Sequence, residues 1–429
     1  MPFGNNKPIL PGATIGILGG GQLGRMTAMA ARALGYRIQV LDPDPSCPAR
    51  FTVDSCFAAS FDDVDSTANL ARGCDVVTIE IEKIALPSMR AAEKYAPVRP
   101  GSDVLEIIQH RAKQKDWLAA HGAPVGPYLV VNSAAELEKA AHELIGSSEN
   151  PNTSGVHGTP GQAKAQTSGA PNGTAEAVPL QNKTTAGECF VKTAEGGYDG
   201  RGQAVLHSPT DAHKAWLYLS ALVCVCEKAL DIESEISVMV ARRPSSADSV
   251  GAGETVVFPV AFNHHTDRIL DWSVIPAPIP DALATKAQSV AKDIAEKIGI
   301  CGLLCVEMFV LKDGTLLVNE LAPRPHNSYH ASERACATSQ FEQCVRAVCD
   351  LPLGSVEIQK PAAIANLLGD VWLANAKPNF SAALAVPGVR LHLYDKQVPK
   401  AGRKMGHISA VGATPEEAVE RVQRARKAL

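Results

Sequence analysis

Aromatic residues make up only 5% of this sequence, and no run of about 18 apolar residues occurs anywhere in it. That excludes a helix crossing a bilayer. No basic stretch followed by an apolar one stands at the N-terminus, so the expected location is cytoplasmic. Positive charge is not in excess: 41 Lys and Arg face 45 Asp and Glu, a formal net charge of −4. Without a global positive field, neither a nucleic-acid backbone nor an anionic membrane is an expected partner, and any anionic ligand must be small and locally held. The eleven cysteines are odd in number and never spaced C-x-x-C. They read as reduced thiols serving as small hydrophobes, not as a zinc site or a disulfide framework. What is present is a globular composition, 45% hydrophobic and 20% charged. At 429 residues the chain is too long for one ordinary core, so two or three domains are expected.

The apolar run Ala13–Leu18 leads into Gly19-Gly20-Gly21, an alanine-rich helical stretch to Leu34, a stop at Gly35 and a second strand, 36–42. This is a βαβ unit with short connections, the start of a doubly wound parallel sheet, continued by a strand over 75–82. Residues 97–101 mark a boundary, giving an N-terminal α/β domain over 1–104. A second domain over 105–355 opens with a charged helix, 105–120. Strands are expected at 188–193, 203–207, 222–227, 235–241, 255–262, 303–311 and 315–321, with a helix over 286–298. Between about 147 and 186 the chain is nearly all Gly, Ser, Thr, Asn, Pro and Ala, too poor in apolar surface to offset the entropy of ordering. A disordered insertion is expected there, and a smaller loop over 244–253. Residues 356–429 alternate short strands with a last helix, 415–427, as a small C-terminal domain.

Gly19 to Gly24 satisfies G-x-G-x-x-G between a strand and a helix, and Asp42 ends the next strand about twenty residues on. Alone, this is a dinucleotide fingerprint with an acid placed for a ribose hydroxyl. The same spacing serves any tight turn that brings backbone N–H groups and a helix N-terminus to a phosphate.

The stretch from Glu307 to Glu320 is the most informative. Asp313-Gly314 between two apolar runs signals a two-residue hairpin. In that register Lys312 pairs with Thr315, Leu311 with Leu316, Phe309 with Val318 and Glu307 with Glu320, the two acids with Cβ atoms about 4.5–5.5 Å apart. Opposed carboxylates at the end of an apolar face are destabilising unless one takes a proton, a cation lies between them, or the two diverge at a solvated strand end. Carboxylate oxygens with no nearby His or Cys suit a hard cation, and Mg²⁺ shares its coordination with nucleotide phosphates.

Lys192 ends a strand and precedes Glu195-Gly-Gly-Tyr-Asp-Gly-Arg-Gly-Gln203, a hairpin tip whose glycines can turn N–H groups toward phosphate oxygens. Glu227-Lys228-Ala229-Leu230 closes an apolar strand and Glu235 opens another. Such acids can read an adenine edge and ribose hydroxyls, or they can belong to a solvated turn.

Together, the glycine-rich hairpin after a lysine, the Glu-x-x-Leu linker and the acids ending in Asn319-Glu320-Leu-Ala-Pro-Arg324 resemble the ATP-grasp fold. Within it, residues 196–203 and 319–328 are similar to the carboxyaminoimidazole ribonucleotide synthetase family, as are Thr338–Glu342, Leu351–Ser355 and the N-terminal Gly-Gly-Gly-Gln-Leu-Gly-Arg-Met. The resemblance implies an α/β architecture: a parallel-sheet domain, the ATP-grasp domain and a small C-terminal domain. It implies an ATP- and Mg²⁺-dependent carbon–nitrogen ligase of purine biosynthesis, in which bicarbonate is phosphorylated to carboxyphosphate and then captured by the amine of 5-aminoimidazole ribonucleotide. It also suggests a homodimer.

Residue by residue, it implies ATP contacts at Arg111, Lys192, Gly197, Tyr198, Asp199, Gly200, Arg201, Gly202, Gln203, Glu227, Lys228, Ala229, Leu230, Glu235, His265, Asn319 and Glu320. The magnesium ligands would be Glu307 and Glu320. Lys396 and Arg403 would hold the ribonucleotide phosphate, with Gln22 of the glycine turn also on the ribonucleotide. Lys192, Tyr198, Arg201, Arg324 and His326 would act at the reacting groups, with Asn327 near bicarbonate. The sequence departs from the family in places. Ile79 and Lys83 flank Glu80 and Glu82 where an aromatic and an Asn are usual. Tyr329 replaces a glycine and could crowd the bicarbonate side, and Arg268 stands where glycine is usual after His265. Three other readings remain at this point: a sister ATP-grasp ligase with a different ribonucleotide or carboxylate, an NAD-dependent oxidoreductase using the N-terminal turn, and a non-catalytic nucleotide-binding regulator.

Overall fold

The computed structural model describes residues 7–146, 187–196, 202–244 and 253–429. The expected insertion over 147–186, most of the 244–253 loop, and the expected phosphate-contacting residues Gly197, Tyr198, Asp199, Gly200 and Arg201 lie outside the described residues. The chain forms two compact units, one made of Met1–Val125 with Ile232–Leu429, the other of Gly126–Asp231.

In the larger unit a parallel sheet runs in the order Ser55–Ala58, Arg37–Asp42, Thr14–Leu18, Val76–Ile79. All five residues of Thr14–Leu18 are buried, as a central strand covered on both faces requires. The helix Gln22–Ala33 buries Leu23, Met26, Thr27 and Ala31, one face at helical spacing. Gly24 is needed for close packing, since a Cβ there would lie 2.5 Å from the Gly19 carbonyl oxygen.

The second sheet of this unit is antiparallel. Its order is Leu316–Ala322, Gly302–Leu311, Ile232–Arg242, Ala261–Thr266, Ile269–Ile275, Ala362–Leu368, Lys404–Val411, Val389–Leu393, with Thr255–Val257 also on Ile232–Arg242. Alternate residues separate two cores. Ile236, Val238, Val240, Leu304, Val306 and Met308 pack with Ala287, Ala291 and Ile294 of the helix Asp281–Lys297. The opposite face places Met239, Ala241, Leu303 and Cys305 in the core shared with the parallel sheet. Strands from the C-terminal tail extend the same sheet, and the helix Pro415–Lys427 covers them through Ala418, Val422 and Ala425.

Two expected elements divide. The helix expected over 105–120 is two, Ser102–Gln109 and Arg111–Ala120, broken at His110, which leaves helical geometry and accepts a hydrogen bond from the Lys113 N–H through its own ring. The strand expected over 255–262 is Thr255–Val257 and Ala261–Thr266, interrupted around Pro259, which has no N–H to give a ladder.

The smaller unit is an antiparallel sheet ordered Tyr128–Val131, Cys224–Lys228, Cys189–Thr193, Gln203–Leu206. Helices Ala134–Gly146 and Ala212–Leu219 pack on it, burying Leu137, Ala141, Leu144 and Ala215 against Val191, Leu206, Cys224 and Cys226. All eleven cysteines of the chain are free thiols, and eight are buried, in keeping with their use as small hydrophobes.

Candidate active site

The paired acids are in place, though by a different route from the one expected. The reversal after Leu311 holds three residues, not two: the Leu311 N–H donates to the Thr315 carbonyl at 2.9 Å, and Gly314 takes a positive φ of 81°. That longer turn pairs Val310 with Leu316, Phe309 with Leu317 and Met308 with Val318, one residue out of the expected register. An irregularity at Asn319 then restores it, so Glu307 is opposite Glu320. A bulge re-aims the bulged strand, and here it frees Asn319, whose Oδ1 is buried with no hydrogen-bond partner. Two carboxylates and an orphaned amide oxygen are the donor set of a hard cation, so the residues present fit Mg²⁺.

Four acids around this point each pair with a different base. Glu307 Oε1 is 2.9 Å from His326 Nε2, Glu320 Oε2 3.2 Å from Arg111, Glu82 Oε1 2.8 Å from Arg324 Nε, and Glu235 Oε2 3.1 Å from His265 Nδ1. Arg111 is the first residue of the helix that the break at His110 creates. Burial works to raise the Glu307 carboxyl, but the hydrogen bond and charge of His326, with His265 and Lys404, outweigh it and hold the group down to about 2. Burial opposes charge on His326 as well, yet Cys305 and Glu307 push it up to about 10. The protonated form of His326 is favoured beside Glu307, which suits it to holding an anion.

The loop that carries His326 is tightly fixed. Gln340 brackets it, accepting from the His326 N–H at 2.8 Å and donating to the His326 carbonyl at 2.9 Å, while Ser328 Oγ lies 2.8 Å from His326 Nδ1. Ser328 Oγ in turn meets Ser237 Oγ at 2.8 Å, and Ser237 accepts from Asn263. Asn327 lies in the short turn Asn327–Tyr329 with its Oδ1 3.1 Å from His330 Nε2. Tyr329 does not crowd the site. It is fully buried, its hydroxyl 2.9 and 2.8 Å from the carbonyls of Ser237 and Pro259, in the core beneath. Arg268 sits in a two-residue reversal between paired Thr266 and Ile269, with φ of 50° at Asp267 and 65° at Arg268, which is why glycine suits that position.

The N-terminal glycine turn is not open to a dinucleotide phosphate. The Glu80 carboxylate accepts from the N–H groups of Gly21 (2.5 Å) and Gly24 (2.7 Å), and Asp42 Oδ2 accepts from Gly20 (2.7 Å). The acid expected on a ribose hydroxyl in the dinucleotide reading is thus spent on the turn itself. Gln22 opens the helix there and is half-buried. Burial, only partly offset by the two N–H groups, pushes Glu80 up to about 7.

Lys396 and Arg403 lie on the connection between Val389–Leu393 and Lys404–Val411. Lys396 Nζ donates to the Lys404 carbonyl at 2.8 Å, and Arg403 donates to the Val398 carbonyl at 2.7 Å. In the smaller unit, Lys192 Nζ is 2.5 Å from Glu227 Oε2, Gln203 begins the return strand just after Gly202, whose carbonyl accepts from the Thr193 N–H, and Lys228 and Ala229 donate backbone N–H groups to the carbonyls of Pro127 and Glu188. Lys404 and Ser237 escaped the sequence reading, while Ser328 and Gln340 entered it only within the family strings, without a role. Their positions follow from tertiary pairing, and nothing in their local spacing marks them.

The chain matches three domain families: the ribonucleotide synthetase preATP-grasp domain over 12–109, the ATP-grasp domain over 173–341, and the phosphoribosylaminoimidazole carboxylase C-terminal domain over 362–421. It is 35% identical over 415 residues to the N5-carboxyaminoimidazole ribonucleotide synthase of Bacillus subtilis, covering 96% of this chain and 95% of that one. A second synthase, from Brucella melitensis, is 35% identical over 94% of this chain and 97% of its own. Among solved structures, an N5-carboxyaminoimidazole ribonucleotide synthetase in complex with ADP superposes with a TM-score of 0.81 at 38% identity, covering 98% of both chains. An Aspergillus clavatus synthase in complex with ADP and 5-aminoimidazole ribonucleotide superposes at 0.78 with 29% identity, over 97% and 98% of the two chains. With its three domains matched in order and its full length aligned to these synthases, the chain belongs to the N5-carboxyaminoimidazole ribonucleotide synthase family of ATP-grasp ligases.

Proposed function

We infer that this protein carboxylates 5-aminoimidazole ribonucleotide with bicarbonate, using ATP and Mg²⁺ and releasing ADP and phosphate, as a cytoplasmic enzyme of purine biosynthesis. The observation that carries the reading is the bulge at Asn319, which sets Glu307 opposite Glu320 within a chain of this family.

Glu307, Glu320 and Asn319 would hold Mg²⁺, which supplies charge neutralisation at the phosphates of ATP. Arg111, Glu235 and His265 are the proposed ATP contacts of the larger unit. In the unit over 126–231 they are Lys192, the 197–203 loop, Glu227 to Leu230. Arg324, oriented by Glu82, offers fixed positive charge to the group being transferred. His326, cationic and bracketed by Gln340, is placed to orient bicarbonate as nucleophile for the γ-phosphate. The resulting carboxyphosphate hydrolyses readily, so the proposed role of the glycine-rich lid with Tyr198 and Arg201 is to exclude water until the substrate amine captures the carboxyl group. Lys396, Arg403 and Gln22 are proposed to hold the ribonucleotide, and a homodimer is the proposed assembly.

A sister ligase with another ribonucleotide is the second reading, favoured by the occupation of Glu80 and Glu82 by the glycine turn and Arg324. Phosphate release from ATP and bicarbonate tests both. Stimulation by 5-aminoimidazole ribonucleotide supports the first; turnover indifferent to it supports the second.

A further inference from the structure

Away from the paired acids, three imidazoles stack in the larger unit: His330 on His407 with ring centroids 4.6 Å apart, and His407 on His392 at 4.4 Å. His392 and His407 are directly opposed on the paired strands Val389–Leu393 and Lys404–Val411. Beside them is Glu333 of the short helix Ser332–Ala335, with Oε2 3.9 Å from His392 Nδ1, too far for a hydrogen bond. Glu333 Oε2, His392 Nε2 and His407 Nε2 are each buried without a hydrogen-bond partner, and ligand atoms of the three residues lie within 4.8 Å of one another. Buried polar atoms left unpaired cost free energy.

We propose that Glu333, His392 and His407 form a binding site for a divalent transition ion of the Zn²⁺ class, separate from the Mg²⁺ position at Glu307 and Glu320. Two imidazoles and one carboxylate are a common protein donor set for such an ion, with a water completing the tetrahedron. His407 Nδ1 is 2.7 Å from the Tyr394 hydroxyl; with the proton on Nδ1, that contact presents the Nε2 lone pair.

Parallel rings do not aim their in-plane lone pairs at one point, so binding requires one ring to turn. His392 is the ring that turns: it lies on the edge strand of the sheet and lines a cavity of about 310 Å³ together with Arg25, Met26, Glu333 and Tyr394. The cavity also has room for the water ligand. The bound ion would tie the edge strand to the helix Ser332–Ala335.

Co²⁺ titration of the full chain in saturating Mg²⁺, followed by visible absorption, tests the site. One equivalent should give the d–d bands of tetrahedral nitrogen and oxygen ligation, and Zn²⁺ should displace it. His392→Ala and Glu333→Gln should each weaken binding by at least the 10–100-fold that loss of an outer-shell partner costs, while ATP turnover in Mg²⁺ alone stays at the wild-type level. Glu307→Gln should leave the Co²⁺ spectrum unchanged. Absence of the d–d bands, thiolate charge-transfer bands, or a spectrum lost in Glu307→Gln but kept in His392→Ala would overturn the proposal.

Discussion

Two pairs of carboxylates in the larger unit meet opposite fates. Asp42 and Glu80 follow parallel strands and bend back onto the glycine turn, where Gly20, Gly21 and Gly24 supply their hydrogen bonds. Glu307 and Glu320 face each other across an antiparallel pair, and side-chain bases meet them, His326 at Glu307 and Arg111 at Glu320. Backbone amides leave the first pair structurally spent, and burial raises both of its members. Side-chain partners leave the second pair available, because a side chain can yield its carboxylate to a cation while a backbone N–H in a packed turn cannot. Proximity of acids, then, does not make a metal site. What the acids are already bonded to decides it.

The difference can be broken from either side. Removing a donor from the second pair should show the larger effect: Glu320→Gln should lower ATP turnover by at least about 100-fold, the scale on which a charge-stabilising group contributes, with thermal stability retained. Phosphate release and a melting curve on the same sample check this, and near-normal turnover would remove Glu320 from the machinery.

Glu80→Ala acts on the first pair and should do the reverse. It leaves the N–H groups of Gly21 and Gly24 unpaired at a cost of about 1–3 kcal/mol each, so denaturant unfolding should show a loss of roughly 2–6 kcal/mol. The same carboxyl gives stability a pH dependence. Its folded value of about 7 lies above the ordinary 4.5. Between those values the unfolded chain has lost the proton that the folded chain keeps, so this group's contribution is full below pH 4.5 and falls as pH rises through 7. Asp42, which opposes ionisation, and Arg324, which favours it, are the charges facing it. Glu80→Gln should flatten the wild-type stability profile across that window, and an unchanged slope would contradict the assignment.

Smaller effects sharpen the contrast between the site and its support. Lys396→Ala should raise KM for the ribonucleotide about tenfold, the loss of one charge-assisted contact, and leave KM for ATP unchanged; equal effects on both would count against a phosphate role. Tyr329→Phe should cost only about 1 kcal/mol, one hydrogen bond, with kcat unaltered, since the hydroxyl serves the Ser237 and Pro259 carbonyls in the core.

Much of this was legible in residue order alone. The apolar runs, the glycine turn and the final helix Pro415–Lys427 carry their own periodicity and punctuation. The long strings that mark the family turn out to be held to one another: Gln343, in the helix after Thr338-Ser339, brackets Gly354 of Leu351–Ser355 through both its backbone groups. Length, composition and these strings by themselves determined an α/β ATP-grasp ligase, and the hairpin pointed to a hard-cation site. Tertiary structure decided the rest. A three-residue turn and a compensating bulge at Asn319 put the acids in register, and Glu80 closed the glycine turn from 56 residues away. Local pattern encodes periodicity and turn chemistry, whereas register shifts and long-range hydrogen bonds depend on which surfaces meet, and a linear reading does not hold that information.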